Sequence, residues 1–453
     1  MNSSTLQHLD KQHWIHSLSN WRNHERDGVH ILKSGSGVFF KDSSGEEYLD
    51  AFSGLWCVNA GYGQKSIVEA AAKQMLEMPY AQSYNDTGCE PAILLASKLA
   101  ARAPGDCTHV YFTLSGSDSI DSALRFIQYH SHVTGQPERR HIISLERGYH
   151  GTSSTGAGVT SLPIFHQNFD APTSFQHRIP SPFPYRHEAG PDGQSIIDAS
   201  VASLRAKIHE IGPTKVAALF CEPIQGAGSV IVPPTGFLPA MRKVCDEYGI
   251  LLVIDEVITG FGRTGPLFAC ETESVAPDLM TIAKGLTSSY VPMGALLVSD
   301  RVYQRIAEKM PKDTPFGHGS TYSGHPVSAA VGLEVLRLYE EGGLLENGKQ
   351  VGNYLQERLQ AFRDHPLVGD VRGRSMVAGI ELVANKQSKQ SFDPSGLPKK
   401  IMDIARMHKL MVRAFGDGTI ALAPALCMTI SECDLMLTRL SAVLDDLVPA
   451  LRK

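Results

Sequence analysis

The stretch "GILLVIDEVITGF", Gly249–Phe261, sets five apolar residues in a row, Ile250 to Ile254, directly against two acids, Asp255 and Glu256. Unbroken rather than alternating, such a run reads as a strand buried on both faces, as in a parallel sheet. Ligands of open α/β sheets bind beyond the carboxyl ends of the strands. The two acids therefore stand where a positive group on a ligand would meet them.

Similar runs flank this one: "HVYFTL" (His109–Leu114), "HIISL" (His141–Leu145), "KVAALF" (Lys215–Phe220), "LMTIA" (Leu279–Ala283) and "GALLVS" (Gly294–Ser299). Helical patterns lie between them, at Ser119–His132, Ile196–Ile211 and Leu238–Tyr248. Strand and helix in alternation predict an α/β large domain with a mostly parallel sheet covered by helices on both faces. The last third changes character. Helices are expected from near Val327 and from Leu345 to Phe362, then short strands in "SMVAGIEL" and "TIALAP", then a closing helix from Ser431. That mixture reads as a smaller α+β domain. The expected division is an N-terminal segment, 1–58, that contributes to the small domain and the active site, a large domain, 59–325, and a C-terminal small domain, 326–453. Asn168–Gly193, rich in Pro, Phe and His, is expected to be an irregular surface loop.

The 453 residues are 42% hydrophobic and 20% charged, ordinary for a globular protein. A formal net charge of −5 gives no basis for binding nucleic acid or an anionic membrane. No apolar run approaches the roughly 18 residues of a spanning helix. The start, "MNSSTLQHLDKQHW", has no apolar signal core, and the eight cysteines contain no C-x-x-C pair. The expectation is a protein of the reducing cytoplasm.

"GFGRTG", Gly260–Gly265, matches G-x-G-x-x-G, but Pro266 and the aperiodic residues after it do not open a helix. The motif lacks the context of a dinucleotide fingerprint, and its glycines read as tight turns. "TLSGSDS" ends a strand in Ser115-Gly116-Ser117 just before a helix. It reads either as a serine cap or as a cradle whose free N–H groups hold a phosphate. Lys284 follows an apolar run; it is either a lysine snorkelling at a strand end or a desolvated nucleophile able to form a Schiff base. Tyr149 and His150, between two glycines, can stack on a flat ring or close the core. "FGHGSTYSGHP" reads as a loop or as a hydroxyl cluster for an anion. His318 and His325 have no third ligand in step, so no metal site is expected.

Taken in order, S-G-S-D, G-Y-H-G, E-P-I-Q-G, D-E-V-x-x-G-F-G-R-T-G, A-K-G and T-Y-S-G-H-P resemble the class III aminotransferases, fold type I pyridoxal-phosphate enzymes. "GLWCVNAGYG" (Gly54–Gly63) and "VRAFGDGTIALAP" (Val412–Pro424) resemble the ω-amine:pyruvate and β-alanine:pyruvate branch. The resemblance covers nearly the whole chain. It implies pyridoxal 5'-phosphate as cofactor, small-molecule amine and keto-acid substrates, and a homodimer, or a tetramer built from it, with active sites at the interface.

By the same resemblance, Asp255 faces the pyridine nitrogen and Lys284 carries the cofactor as a Schiff base and moves the proton. Ser115, Gly116 and Ser117 cradle the phosphate with Thr321 from the partner subunit. Tyr149 and Val257 cover the two ring faces, and Glu222 completes the cofactor site. Trp56 and Tyr84 belong to the substrate pocket, and Arg413 matches a mobile arginine that grips a carboxylate. The competing reading makes Arg413 a structural partner of Asp417. Leu114 and Asp118 replace the asparagine and glutamate of many members. Asn85, beside Tyr84, stands where amine-preferring relatives carry an aromatic. That favours a polar amine or an ω-amino acid. The expected activity is ping-pong transfer of an amino group to a keto acid, pyruvate in the first instance. An aminomutase of the same superfamily is the alternative.

Overall fold

Every residue of Leu251–Asp255 is buried, as its unbroken apolar run requires. Leu252 and Ile254 belong to one hydrophobic cluster and Leu251 and Val253 to another, so the strand sits between two packed layers. The computed structural model describes residues 2–452.

Near the N-terminus β1 (Leu32–Ser36), β2 (Phe39–Asp42) and β3 (Glu47–Asp50) form an antiparallel meander. The central sheet uses β4 (His109–Thr113), β5 (His141–Leu145), β6 (Gln176–Ile179), β7 (Val216–Cys221), β8 (Leu251–Asp255), β9 (Leu279–Ile282) and β10 (Gly294–Val298). Its order is β4-β10-β9-β8-β7-β5-β6. Only β10 runs against the rest, pairing antiparallel with both β4 and β9. The remaining neighbours pair parallel, so their carboxyl ends share one edge. Later come β11 (Val368–Arg374), β12 (Val377–Leu382), β13 (Leu410–Met411), β14 (Arg413–Ala414) and β15 (Thr419–Leu422). Four of these make an antiparallel sheet in the order β11-β12-β15-β14, while β13 pairs parallel with β3 and ties the two ends of the chain together.

The helices of the middle third run Gly116–Val133, Gly193–Ile211 and Phe237–Tyr248, each close to the span its periodicity predicts. Two others run Pro326–Glu340 and Leu344–Leu359, the latter ending in a 3₁₀ turn, Gln360–Asp364. The last, Ile430–Leu451, starts on a reciprocal cap between Thr429 and Glu432. One expectation fails. Asn168–Gly193 is not wholly irregular, because it contains β6, paired in parallel with β5. That strand, "QHRI", is short, polar and only partly buried at the sheet edge, so no apolar run announces it.

"GFGRTG" forms turns, not a helix start, with Gly262 and Gly265 at φ +82° and +112°. Its arginine is the largest fully buried side chain of the chain's described residues. The Arg263 guanidinium donates to the carbonyls of Pro424 and Met376 and to Asn59 Oδ1, at 2.6 Å for the last. It thus joins the start of the large domain, at Asn59, to the C-terminal strands. Burial lowers its pKa to about 10, still far above neutrality. Arg263→Met should leave these acceptors bare and cost about 2–4 kcal/mol, since each buried unsatisfied group costs about 1–3 kcal/mol. A urea midpoint unchanged from the parent protein would show that these ties carry no stability.

Candidate functional site

The parallel strands deliver the chemistry-bearing residues to one edge. Ser115–Ser117 follow β4, Tyr149 and His150 follow β5, and Glu222 follows β7. Asp255 ends β8, and Lys284 lies just past β9. All of them line a cavity of about 700 Å³. Such a volume is ordinary for a small-molecule site.

Asp255 lies at its floor, 5% exposed. Its Oδ1 accepts from Thr281 Oγ1 at 3.0 Å and from the Val257 N–H at 3.1 Å, and its Oδ2 lies 2.9 Å from His150 Nδ1. Burial pushes the His150 imidazole toward its neutral form, but the hydrogen bond and charge of Asp255, with Glu222, outweigh it and raise its pKa. Glu222 accepts from the N–H groups of Tyr149 at 3.0 Å and Gly226 at 3.2 Å. Burial raises its pKa to about 7; His150 pulls it down and Asp255 pushes it up.

Lys284 has φ +43°, a left-handed conformation that costs a side-chain-bearing residue on the order of 1 kcal/mol. The next residue, Gly285, is tightly held. Tyr339 donates to Gly285 O at 2.6 Å, and a Cβ on Gly285 would stand 2.7 Å from Phe261 Cβ and Asn59 Nδ2. Burial lowers the Lys284 pKa to about 8, against the opposing pull of Asp255, Cys57 and Glu222. The lysine is enclosed by protein yet open to the cavity, which fits a nucleophile better than a snorkelling surface lysine.

Ser115 caps Gly116–Val133, its side chain accepting from the Asp118 N–H at 3.3 Å. The capping and cradle readings coincide here, because the first N–H groups of the helix face the cavity with no intrahelical acceptor. The backbone is bare for a reason: a Cβ on Gly116 would lie 2.8 Å from Val257 Cγ1. Val257 and Tyr149 also line the cavity. The Tyr149 ring is braced by Phe165, centroids 5.3 Å apart.

The wall beyond carries Trp56, 4% exposed and packed edge-on against Phe52, and Arg413 on β14. Asp417 is not the partner of Arg413. It pairs with Arg147, 2.5 Å from its guanidinium, so the structural pairing considered for Arg413 is overturned. Among the described residues no carboxylate lies within ion-pair distance of Arg413, and burial lowers its pKa. Tyr84 and Thr321 stand outside this cavity within one chain. Tyr84 lies against Gly319, and the Thr321 carbonyl accepts from Tyr80.

Thr281 and Arg147 are participants that sequence reasoning missed, and for His150 it missed the contact with Asp255. His150 carried a signal, its place in G-Y-H-G, but nothing in the sequence says it reaches a residue 105 positions away.

The description "Aminotransferase class-III" matches residues 22–444. A putrescine–pyruvate aminotransferase of Pseudomonas aeruginosa is 39% identical over 447 residues, 98% of this chain and 96% of the relative. An (S)-enantioselective ω-transaminase from Thermomicrobium roseum superposes with a TM-score of 0.96 at 38% identity, covering 99% of each chain. The ω-transaminase of Pseudomonas jessenii in complex with PMP superposes with a TM-score of 0.95 at 36% identity, over 98% of this chain and 99% of that one. The chain belongs to the class III aminotransferases, the pyridoxal-phosphate-dependent enzymes that carry an amino group from one carbon skeleton to another.

Proposed function

We propose that this aminotransferase takes its amino group from a polar amine or an ω-amino acid and passes it to a keto acid, pyruvate first among them, in two separate half-reactions. The observation that carries this reading is Arg413, a guanidinium in the cavity wall with no carboxylate partner among the described residues. A planar fork of this kind binds a carboxylate bidentately. A keto acid presents a carboxylate beside its reacting carbon, and a simple amine does not. The name of the Pseudomonas aeruginosa relative pairs a diamine with pyruvate in the same sense.

The residues present suit pyridoxal phosphate. The bare Gly116 backbone at a helix start suits a phosphate, the buried carboxylate suits a ring nitrogen, and the lysine with lowered pKa suits an aldehyde. When bound, the cofactor supplies an electron sink for the carbanion left as the substrate carbon loses its proton. Lys284 holds it covalently and, once released, moves the proton at its Nζ. Asp255, oriented by His150 and Thr281, keeps the ring nitrogen protonated. Ser115, Gly116 and Ser117 receive the phosphate, with the partner subunit's Thr321 completing the cradle in a homodimer. Tyr149 and Val257 enclose the ring, Glu222 fixes the Tyr149 backbone, and Trp56 shapes the pocket, joined in a homodimer by the partner subunit's Tyr84.

Attachment of the cofactor needs the neutral amine, and burial disfavours the charged one. With a pKa of about 8 the neutral fraction of Lys284 grows about tenfold per pH unit below 8 and levels off above it. The rate at which apoenzyme takes up pyridoxal phosphate, followed by absorbance, should show that profile. A rise continuing to about pH 10, where an ordinary lysine titrates, would contradict it.

Arg413→Ala should weaken the keto-acid half-reaction by about 30- to 150-fold, because a charge-assisted bidentate contact is worth about 2–3 kcal/mol. Amination of the enzyme by a carboxylate-free amine should change far less. Stopped-flow measurement of each half-reaction decides it, and equal losses in both would mark the arginine as structural.

A further inference from the structure

Away from the catalytic cavity, the N-terminal segment brings two imidazoles and a carboxylate together. Asp10 comes from the helix Ser3–His13, His24 from the helix Trp21–Asp27, and His16 from the turn between them. One ligand atom from each lies within 4.8 Å of the others. His16 Nε2 makes an ordinary hydrogen bond with Asp10 Oδ1 at 2.8 Å. The second contact differs. His24 Nε2 and Asp10 Oδ2 are 3.0 Å apart, yet both are sealed from solvent without a hydrogen-bond partner, so their directions do not fit a hydrogen bond. The two side chains are each only 9% exposed. Buried polar atoms left in this way are costly, and a native structure usually supplies a partner such as an ion.

We propose that Asp10, His16 and His24 form a binding site for a divalent transition ion of the zinc class. Two imidazole nitrogens and one carboxylate oxygen are donors that such ions accept. Zinc bonds of about 2.0–2.1 Å in tetrahedral array set neighbouring donors roughly 3.3 Å apart. The two imidazoles meet different oxygens of Asp10, so an ion replaces both contacts and draws together three ligand atoms that already lie within 4.8 Å of one another. An adjoining cavity of about 650 Å³, which His16 and His24 help to line, provides an entry path and room for a water as fourth ligand. Trp14 stacks on His16 with centroids 4.5 Å apart, and His16 lies 4.7 Å from the His24 ring, so the imidazoles are held by their neighbours. No metal was expected from the sequence, where histidine ligation was weighed only at His318 and His325.

The site has a consequence for the catalytic cavity. Leu18, in the turn that carries His16, lines that cavity at φ +53°. An ion bridging both helices and the turn fixes the loop that presents Leu18 to the substrate. The ion is structural and takes no part in amino transfer.

The test uses tag-free holoenzyme, titrated calorimetrically with Zn²⁺ and spectroscopically with Co²⁺. One ion should bind per chain, with Co²⁺ giving ligand-field bands of a low-coordinate site. His24→Ala and the milder Asp10→Asn and His16→Gln should each lose at least about tenfold in affinity, since even outer partners of metal ligands are worth about 10–100-fold. Their cofactor absorbance should stay that of the parent protein, which shows that the variants fold. Absence of saturable binding in the parent protein would overturn the proposal: the cluster would then be a carboxylate packed between two imidazoles alone. Binding unchanged in all three variants would overturn it equally, placing the ion on other histidines.

Discussion

A carboxylate buried at the end of a parallel strand is the constraint around which the rest is arranged. Asp255 is held by a hydroxyl from the neighbouring strand, a backbone N–H two residues on and the His150 imidazole. Taking such a charge out of water is costly unless donors surround it, and removing one partner of a buried pair costs about 3–5 kcal/mol. Each donor comes from a different segment: Thr281 from β9, Val257 from the turn after β8, His150 from the loop after β5. The carboxylate can exist there only if the sheet order is right. In the proposed mechanism its remaining side meets the ring nitrogen, and the energy spent on burying it returns as an electron sink for the reaction.

Lys284 depends on the same arrangement from the other direction. It lies just past β9, beside the strand that ends in Asp255, and burial pushes its amine toward neutrality while Asp255 pulls it back. The compromise, near pH 8, leaves a lysine that can both attack and carry a proton. The residue after it, Gly285, is held by Tyr339 and packed against Phe261 and Asn59. Asn59 is in turn held by Arg263, which links it to the C-terminal strands through Met376 and Pro424. At the cavity's other side Arg147 and Asp417 make a second tie, between the loop after β5 and the turn before β15. By pairing with Asp417, Arg147 takes up the carboxylate nearest in sequence to Arg413.

The central strands were legible because burial on both faces demands unbroken apolar runs, and Leu251–Asp255 shows one in its plainest form. β6 was not, since an edge strand needs burial on one side only and "QHRI" has the composition of a loop. The same reasoning separates the site residues. Asp255 and Lys284 follow apolar runs directly, so charge stands out against its surroundings. His150 and Thr281 matter through what they touch, and contacts between different strands leave no mark in local sequence. The competing pairing of Asp417 with Arg413 rested on sequence proximity alone, whereas β14 and β15 pair antiparallel and the turn between them points Asp417 to Arg147. Tyr84 and Thr321 lie outside the cavity of one chain, and their proposed roles require a second copy.

The most direct test of the central role of Asp255 is a single-turnover measurement on Asp255→Asn holoenzyme mixed with an amine donor. The amide has the carboxylate's shape and keeps most of its contacts, so the cofactor should remain bound and its absorbance band visible. A neutral side chain cannot hold the ring nitrogen protonated. The proton-transfer half-reaction should therefore slow by at least about 100-fold, the order that a single positioned proton-handling group contributes. A half-reaction at near-parental rate, with cofactor fully bound, would contradict the account.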